Sequence, residues 1–149
     1  MSELEIAIRN VTLGFGDRLY LDIPSLNMDP MRSTVILGPN GAGKSLFLRV
    51  MHGLTQLNTG TVSFPHQYRN RKQQAIVFQR PVLLRRTALA NISFALRARG
   101  HSYMEAKRLG LNWMMRAELD HLANVPARRL SGGEQQRLCI RRALALNPK

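Results

Sequence analysis

The run Gly38-Pro39-Asn40-Gly41-Ala42-Gly43-Lys44-Ser45 sets three glycines, a lysine and a serine in the spacing G-x-x-x-x-G-K-S. That spacing is the one a polyphosphate requires. Gly38, Gly41 and Gly43 allow the backbone to curl closely around phosphate oxygens without Cβ clashes. The loop N–H groups then converge as an anion nest at the positive end of the following helix. Lys44 is placed to reach the β- and γ-phosphates, and the Ser45 hydroxyl to coordinate a Mg²⁺ carried with them. A second anion-seeking run lies near the other end of the chain. In Leu130-Ser131-Gly132-Gly133-Glu134-Gln135-Gln136-Arg137, Ser131 and Glu134 stand at capping-box spacing, and the two glycines expose N–H groups at a helix start.

These loops need elements to hold them. Thr34-Val35-Ile36-Leu37 ahead of the first loop predicts a short buried strand, and Leu46 to His52 behind it a helix closed by Gly53. Earlier, residues 3–13 alternate as a half-exposed strand, Gly14 to Asp17 turns, and Leu19 to Ile23 resumes the alternation as a hairpin partner. Thr59 to Phe64 predicts a further strand, Gln67 to Gln74 an exposed loop, and Ala75-Ile76-Val77-Phe78 a buried strand ending at Gln79. From Pro81 the texture turns helical. Leu89, Ile92 and Leu96 recur at helical spacing, with Thr87 to cap and Gly100 to terminate, and residues 103–118 form one helix or two broken near Gly110. The methionines and Trp113 of that stretch are expected in the core, and Pro126 ends the helical segment. In the last helix Cys139, Ala143 and Leu146 recur along one face, flanked by Ile140 and Leu144.

Composition sets bounds on function. At 149 residues and 44% hydrophobic the chain suits one globular domain. Met1 to Glu5 lacks the layout of a signal peptide, and no apolar run approaches the ~18 residues that cross a bilayer, so a soluble cytoplasmic protein is expected. Cys139 is the sole cysteine, which excludes an intrachain disulfide and reads as a buried, inert thiol. The 22 basic against 9 acidic residues give +13, a balance that attracts anionic partners. The basic residues are scattered in pairs, however, with only Tyr68 beside the run Arg69-Asn70-Arg71-Lys72, so no stacking platform for bases stands out and no specific nucleic acid is expected.

Taken together, the two loops resemble the motifs of the ATP-binding subunits of ABC transporters. Gly38–Ser45 is similar to that family's Walker A motif, Leu130–Arg137 to its signature motif, Gln79 to its Q-loop glutamine, and Phe15 to the aromatic that stacks on adenine. The resemblance implies an α/β P-loop NTPase cassette: a mixed sheet with an antiparallel N-terminal part (residues 1–79, carrying Walker A), a helical insert (80–130) and a signature helix (131–149). It further implies ATP and Mg²⁺ as ligands, with Ser45 and Gln79 at the metal and Lys44 and Gln79 serving catalysis. Two such cassettes would pair head to tail, each nucleotide held by Gly38, Pro39, Asn40, Gly41, Ala42, Gly43, Lys44 and Ser45 of one copy and by Ser131, Gly132, Gly133 and Gln135 of the other. The insert would dock on a membrane-embedded permease at the cytoplasmic face of the membrane, served indirectly by a solute-binding protein.

The same resemblance places an Asp that holds Mg²⁺ and a Glu that activates water after Lys149, and a switch histidine further on. His52, His66, His101 and His121 all precede the signature, and none takes that role. These 149 residues are therefore expected to bind ATP and hydrolyse it negligibly. Leu46 stands where Thr is commoner, which removes one contact to the α-phosphate. The runs Gly43–Leu54 and Val77–Arg86 look most like ATPases of tungstate and molybdate importers, with phosphate importers next. A soluble ABC-type ATPase acting on the ribosome or nucleic acid, or a non-hydrolysing remnant, are the alternatives.

Overall fold

The computed structural model describes residues 5–148, so Glu3 and Leu4 of the first expected strand lie outside it. The chain divides into two units, one ending at Gln74 and the other beginning at Ala75.

The first unit is built on a hairpin. Strands β1 (Ile6–Phe15) and β2 (Arg18–Met28) pair antiparallel, and β3 (Thr59–Ser63) adds to the other edge of β1, in the order β2-β1-β3. The turn is tighter than the sequence suggests. Phe15 pairs directly with Arg18, leaving Gly16 and Asp17 as a two-residue connection. Pro24 is tolerated within β2 because that strand lies at the sheet edge, where a missing N–H costs no ladder bond. Helix α1 (Lys44–Met51) buries Phe47 and Val50 against Ile8, Val11, Leu13 and Leu21. These two side chains contribute on the order of 2 kcal/mol each, and they fix where the loop ahead of the helix sits. As expected, α1 stops at Gly53, which takes a left-handed φ of 68° while the Leu54 N–H bonds the Arg49 carbonyl at 2.8 Å.

Two expected strands are not formed. Residues 33–39 carry no helix or ladder, with Val35 77% and Leu37 87% exposed, and residues 74–78 likewise carry no ladder. A central strand exists only when neighbours complete its hydrogen bonds and layers cover its faces. Among the described residues, no strand lies alongside either run.

The second unit is helical. α2 (Ala88–Arg97) is capped by the Thr87 hydroxyl, which accepts from the Ala90 N–H, and it buries Leu89, Ile92 and Leu96 as their spacing predicts. Gly100 follows its end at φ 98°. α3 (Tyr103–Met115) is one continuous helix, capped by Ser102, a cap that the sequence reading passes over. Gly110 does not break it. A Cβ at that position would lie 2.9 Å from Ser93 Oγ and 3.0 Å from Leu89 Cδ1, so its glycine serves the close approach of α2 and α3. Met114 is fully buried, whereas Met104, Met115 and Tyr103 are exposed, so only part of the expected Met and aromatic cluster is core. The segment before Pro126 returns to α2, where the Val125 carbonyl accepts the Ala88 N–H at 2.9 Å. α4 (Gly132–Leu144) closes the unit through Leu138 and Cys139. The expected stripe is partly corrected: Ile140 and Leu144 face solvent, and Leu138 takes the buried place.

Candidate functional site

The loop from Gly38 to Ser45 is shaped by its last glycine. Gly43 is the N-cap of α1 at φ 83°, ψ 3°, a left-handed conformation that costs an L-residue roughly 1–2 kcal/mol. A Cβ there would also lie 2.9 Å from Leu21 Cδ2 and 3.1 Å from the Tyr20 carbonyl oxygen. The loop is thus pressed against β2 by a residue that has to be glycine for two separate reasons. The preceding turn closes through the Ala42 N–H and the Pro39 carbonyl at 3.3 Å. No side chain caps α1 and no acidic residue lies in its first turn, whereas α2, α3 and α4 each carry a side-chain cap. The N–H groups of the first turn therefore remain as donors without intrahelical partners. Lys44 turns its ammonium inward, with Nζ donating to the carbonyls of Gly38 at 2.8 Å and Pro39 at 2.7 Å. Pro39, Asn40, Gly41, Ala42 and Ser45 are exposed around it. An uncapped helix start, a left-handed glycine and an inward lysine together fit a polyphosphate.

Phe15 lies in the same unit at the hairpin tip, 60% exposed. Its ring meets Tyr20 edge-on at 5.6 Å, and the Arg18 guanidinium stands 5.0 Å over the Tyr20 ring. Tyr20 also supplies the carbonyl that Gly43 faces, so the strand that carries this aromatic pair borders the glycine-rich loop. Tyr20 and Arg18 escape a sequence reading, because only the hairpin register brings position 20 back toward position 15.

In the second unit, Ser131 is the N-cap of α4 and forms a complete capping box. Its N–H donates to Glu134 Oε2 at 2.7 Å, and its hydroxyl accepts the Glu134 N–H at 3.4 Å. Hydrogen bonds from Ser131, with smaller help from Arg137 and His121, hold the Glu134 carboxyl below the usual carboxylate range. A depressed carboxyl supports the folded state at neutral pH, and this support is lost as pH falls through the folded-state value. The Ser131 amide resonance should accordingly shift only on the acid side of ordinary carboxylate titration, and Glu134→Gln should make it flat with pH while keeping the cap. Gln135 Nε2 donates to the Leu130 carbonyl at 2.8 Å, which fixes the residue before the cap. Gly132 and Gly133 are exposed, and a Cβ at either would meet nothing within 4 Å. Folding of this unit therefore sets no steric demand for glycine there. Gln79 lies exposed in a bend of the same unit, after the unpaired run 74–78. Burial pushes the Cys139 thiol up, as expected for an inert group. Among the described residues no cluster of His, Cys, Asp or Glu could hold a metal by itself.

The polar residue that the sequence reading missed is Asn91, which is 0% exposed. The available signal was an Asn on the apolar face of α2, between Leu89 and Ile92.

A family model described as ABC transporter matches residues 21–149. The tungstate uptake system ATP-binding protein TupC of Peptoclostridium acidaminophilum is 33% identical over 98% of this chain and 69% of its own. The probable amino-acid import ATP-binding protein YxeO of Bacillus subtilis (strain 168) is 36% identical over 96% of this chain and 63% of its own. The structure of cbiO1 from Clostridium perfringens, described as part of the ABC transporter complex cbiONQ, aligns with a TM-score of 0.76 at 26% identity, covering 97% of this chain and 62% of that one. The chain belongs to the ABC transporter family, as an ATP-binding cassette of its ATPases. It spans about two-thirds of the length of these relatives. No helix among the described residues is long and apolar enough to cross a membrane.

Proposed function

We propose that this chain is the nucleotide-binding part of an importer ATPase, and that Gly38–Ser45 holds the triphosphate of ATP. The observation that carries the reading is the Lys44 ammonium set inside a loop that opens onto an uncapped helix start. Lys44 would exchange its two carbonyl partners for β- and γ-phosphate oxygens, while loop N–H groups hold the remainder. The adenine would rest on Phe15, propped by Tyr20. Ser45 would take a position in the shell of a Mg²⁺ whose other ligands come from phosphate and water. ATP supplies the phosphoanhydride bond that such an enzyme hydrolyses.

The Ser131 end of α4 would serve a nucleotide held by a second copy in a head-to-tail pair. The open space at Gly132 and Gly133 supports this, since a close-approaching ligand explains glycines that folding does not require. On this reading the cassette works peripherally at the cytoplasmic face of the membrane, beneath a permease and, through it, a solute-binding protein. The similarity to a tungstate uptake ATPase supports an oxyanion cargo, and the similarity to an amino-acid import protein supports the same machinery with another solute.

The 149-residue chain should bind Mg-ATP yet release phosphate more slowly than about 0.01 s⁻¹, against a median of about 10 s⁻¹ for ordinary enzymes. On this reading none of its acidic residues is the metal-holding Asp or the water-activating Glu. A colorimetric phosphate assay tests the rate, and sedimentation with Mg-ATP tests the head-to-tail pairing. Turnover near 1 s⁻¹, or pairing unchanged by Ser131→Glu, would contradict it.

A further inference from the structure

Asn91 and Arg142 take no part in the scheme above, yet both are committed to side-chain hydrogen bonds. Asn91 Oδ1 accepts the Leu84 N–H at 2.9 Å and Arg142 Nη1 at 3.3 Å. Asn91 Nδ2 donates to the carbonyls of Thr87 at 3.0 Å and Leu84 at 3.3 Å. Arg142, in the last turn of α4, donates through Nη2 to the Val82 carbonyl at 2.7 Å. Residues 82–84 have no helix or strand of their own. They are held by α2 through Asn91 and by α4 through Arg142. Gln79 lies three residues before this stretch, and Ser131 lies at the far end of α4, which is 13 residues long and so about 20 Å.

We propose that Asn91 and Arg142 are positioning residues that make residues 82–87 and α4 one rigid body, so that a displacement of Gln79 is carried to the Ser131 end of the helix. The guanidinium suits this because its planar fork reaches two acceptors at once and fixes angle as well as distance. A lysine could satisfy only one of them with the same geometry. The helix then acts as the rod, and the latch sits at its base. This inference rests on the nucleotide reading for what moves Gln79, but not for the latch itself.

Hydrogen exchange on the 149-residue chain tests it, with wild type, Arg142→Met and Arg142→Lys compared with and without Mg-ATP, and the ATP affinity measured on the same samples. In Arg142→Met, amides of residues 82–84 should exchange about tenfold faster while those of Ile92 to Leu96 stay within about twofold, and Arg142→Lys should fall between. Mg-ATP should protect residues 79–84 and 132–135 together in wild type and independently in Arg142→Met. Uniform acceleration across the helices would mean that Arg142 only adds stability, and would overturn the proposal. So would unchanged exchange at 82–84, or a joint response that survives in Arg142→Met. If no ATP binds, the nucleotide reading fails by itself, and the ligand-free exchange still decides the latch.

Discussion

Lys44→Ala should weaken Mg-ATP binding by about a hundredfold and leave folding stability within about 0.5 kcal/mol. The ammonium makes two hydrogen bonds in the ligand-free loop, both to exposed carbonyls, Gly38 at 2.8 Å and Pro39 at 2.7 Å. Water replaces these partners readily, so the loop loses little when the side chain is cut. Toward phosphate the balance differs. A charge-assisted hydrogen bond contributes roughly 1.5–3 kcal/mol net, and ~2.7 kcal/mol is a hundredfold in affinity. Titration of a fluorescent ATP analogue, with a urea curve for each protein, separates the two quantities. Equal affinity in both proteins would remove Lys44 from the site.

Asn91→Ala should destabilise the helical unit by about 3 kcal/mol. The side chain is fully buried and saturated: Leu84 N–H and Arg142 donate to it, and the carbonyls of Leu84 and Thr87 accept from it. Truncation leaves the Leu84 N–H without its acceptor, at roughly 1–3 kcal/mol, and opens a small cavity beneath it. Urea unfolding followed by Trp113, the only tryptophan and one packed on this core, reads the loss directly. Asn124→Ala, at an exposed position, should move the curve by less than about 0.5 kcal/mol. Similar curves for both substitutions would refute the stabilising role given to the Asn91 hydrogen bonds.

Local chemistry was legible in the sequence. The glycine-rich loop, the helix behind it, the Thr87 cap, the Leu89, Ile92 and Leu96 stripe and the Ser131 with Glu134 capping box all depend on residues within a turn or two of one another. What escaped depends on distant partners. Val35 and Leu37 carry strand propensity, but a strand requires neighbours that propensity does not report. Helix α4 is apolar on more than one side, so spacing alone did not choose Leu138 over Ile140 and Leu144. Asn91 reads as a mild helix defect until its partners, Leu84 seven residues back and Arg142 across the fold, are seen. Within the site, Gly43 was legible as a loop glycine, whereas its contact with Leu21 and Tyr20, which sets the loop beside the aromatic hairpin tip, was not.

The central claim is that the loop itself grips the triphosphate. It is tested most directly by the backbone amide resonances of Gly41, Gly43, Lys44 and Ser45 during titration with Mg-ATP and, separately, with adenosine. ATP should shift these four amides together, and adenosine should leave them unmoved while perturbing Phe15. Loop amides that stay in place at saturating ATP would contradict it.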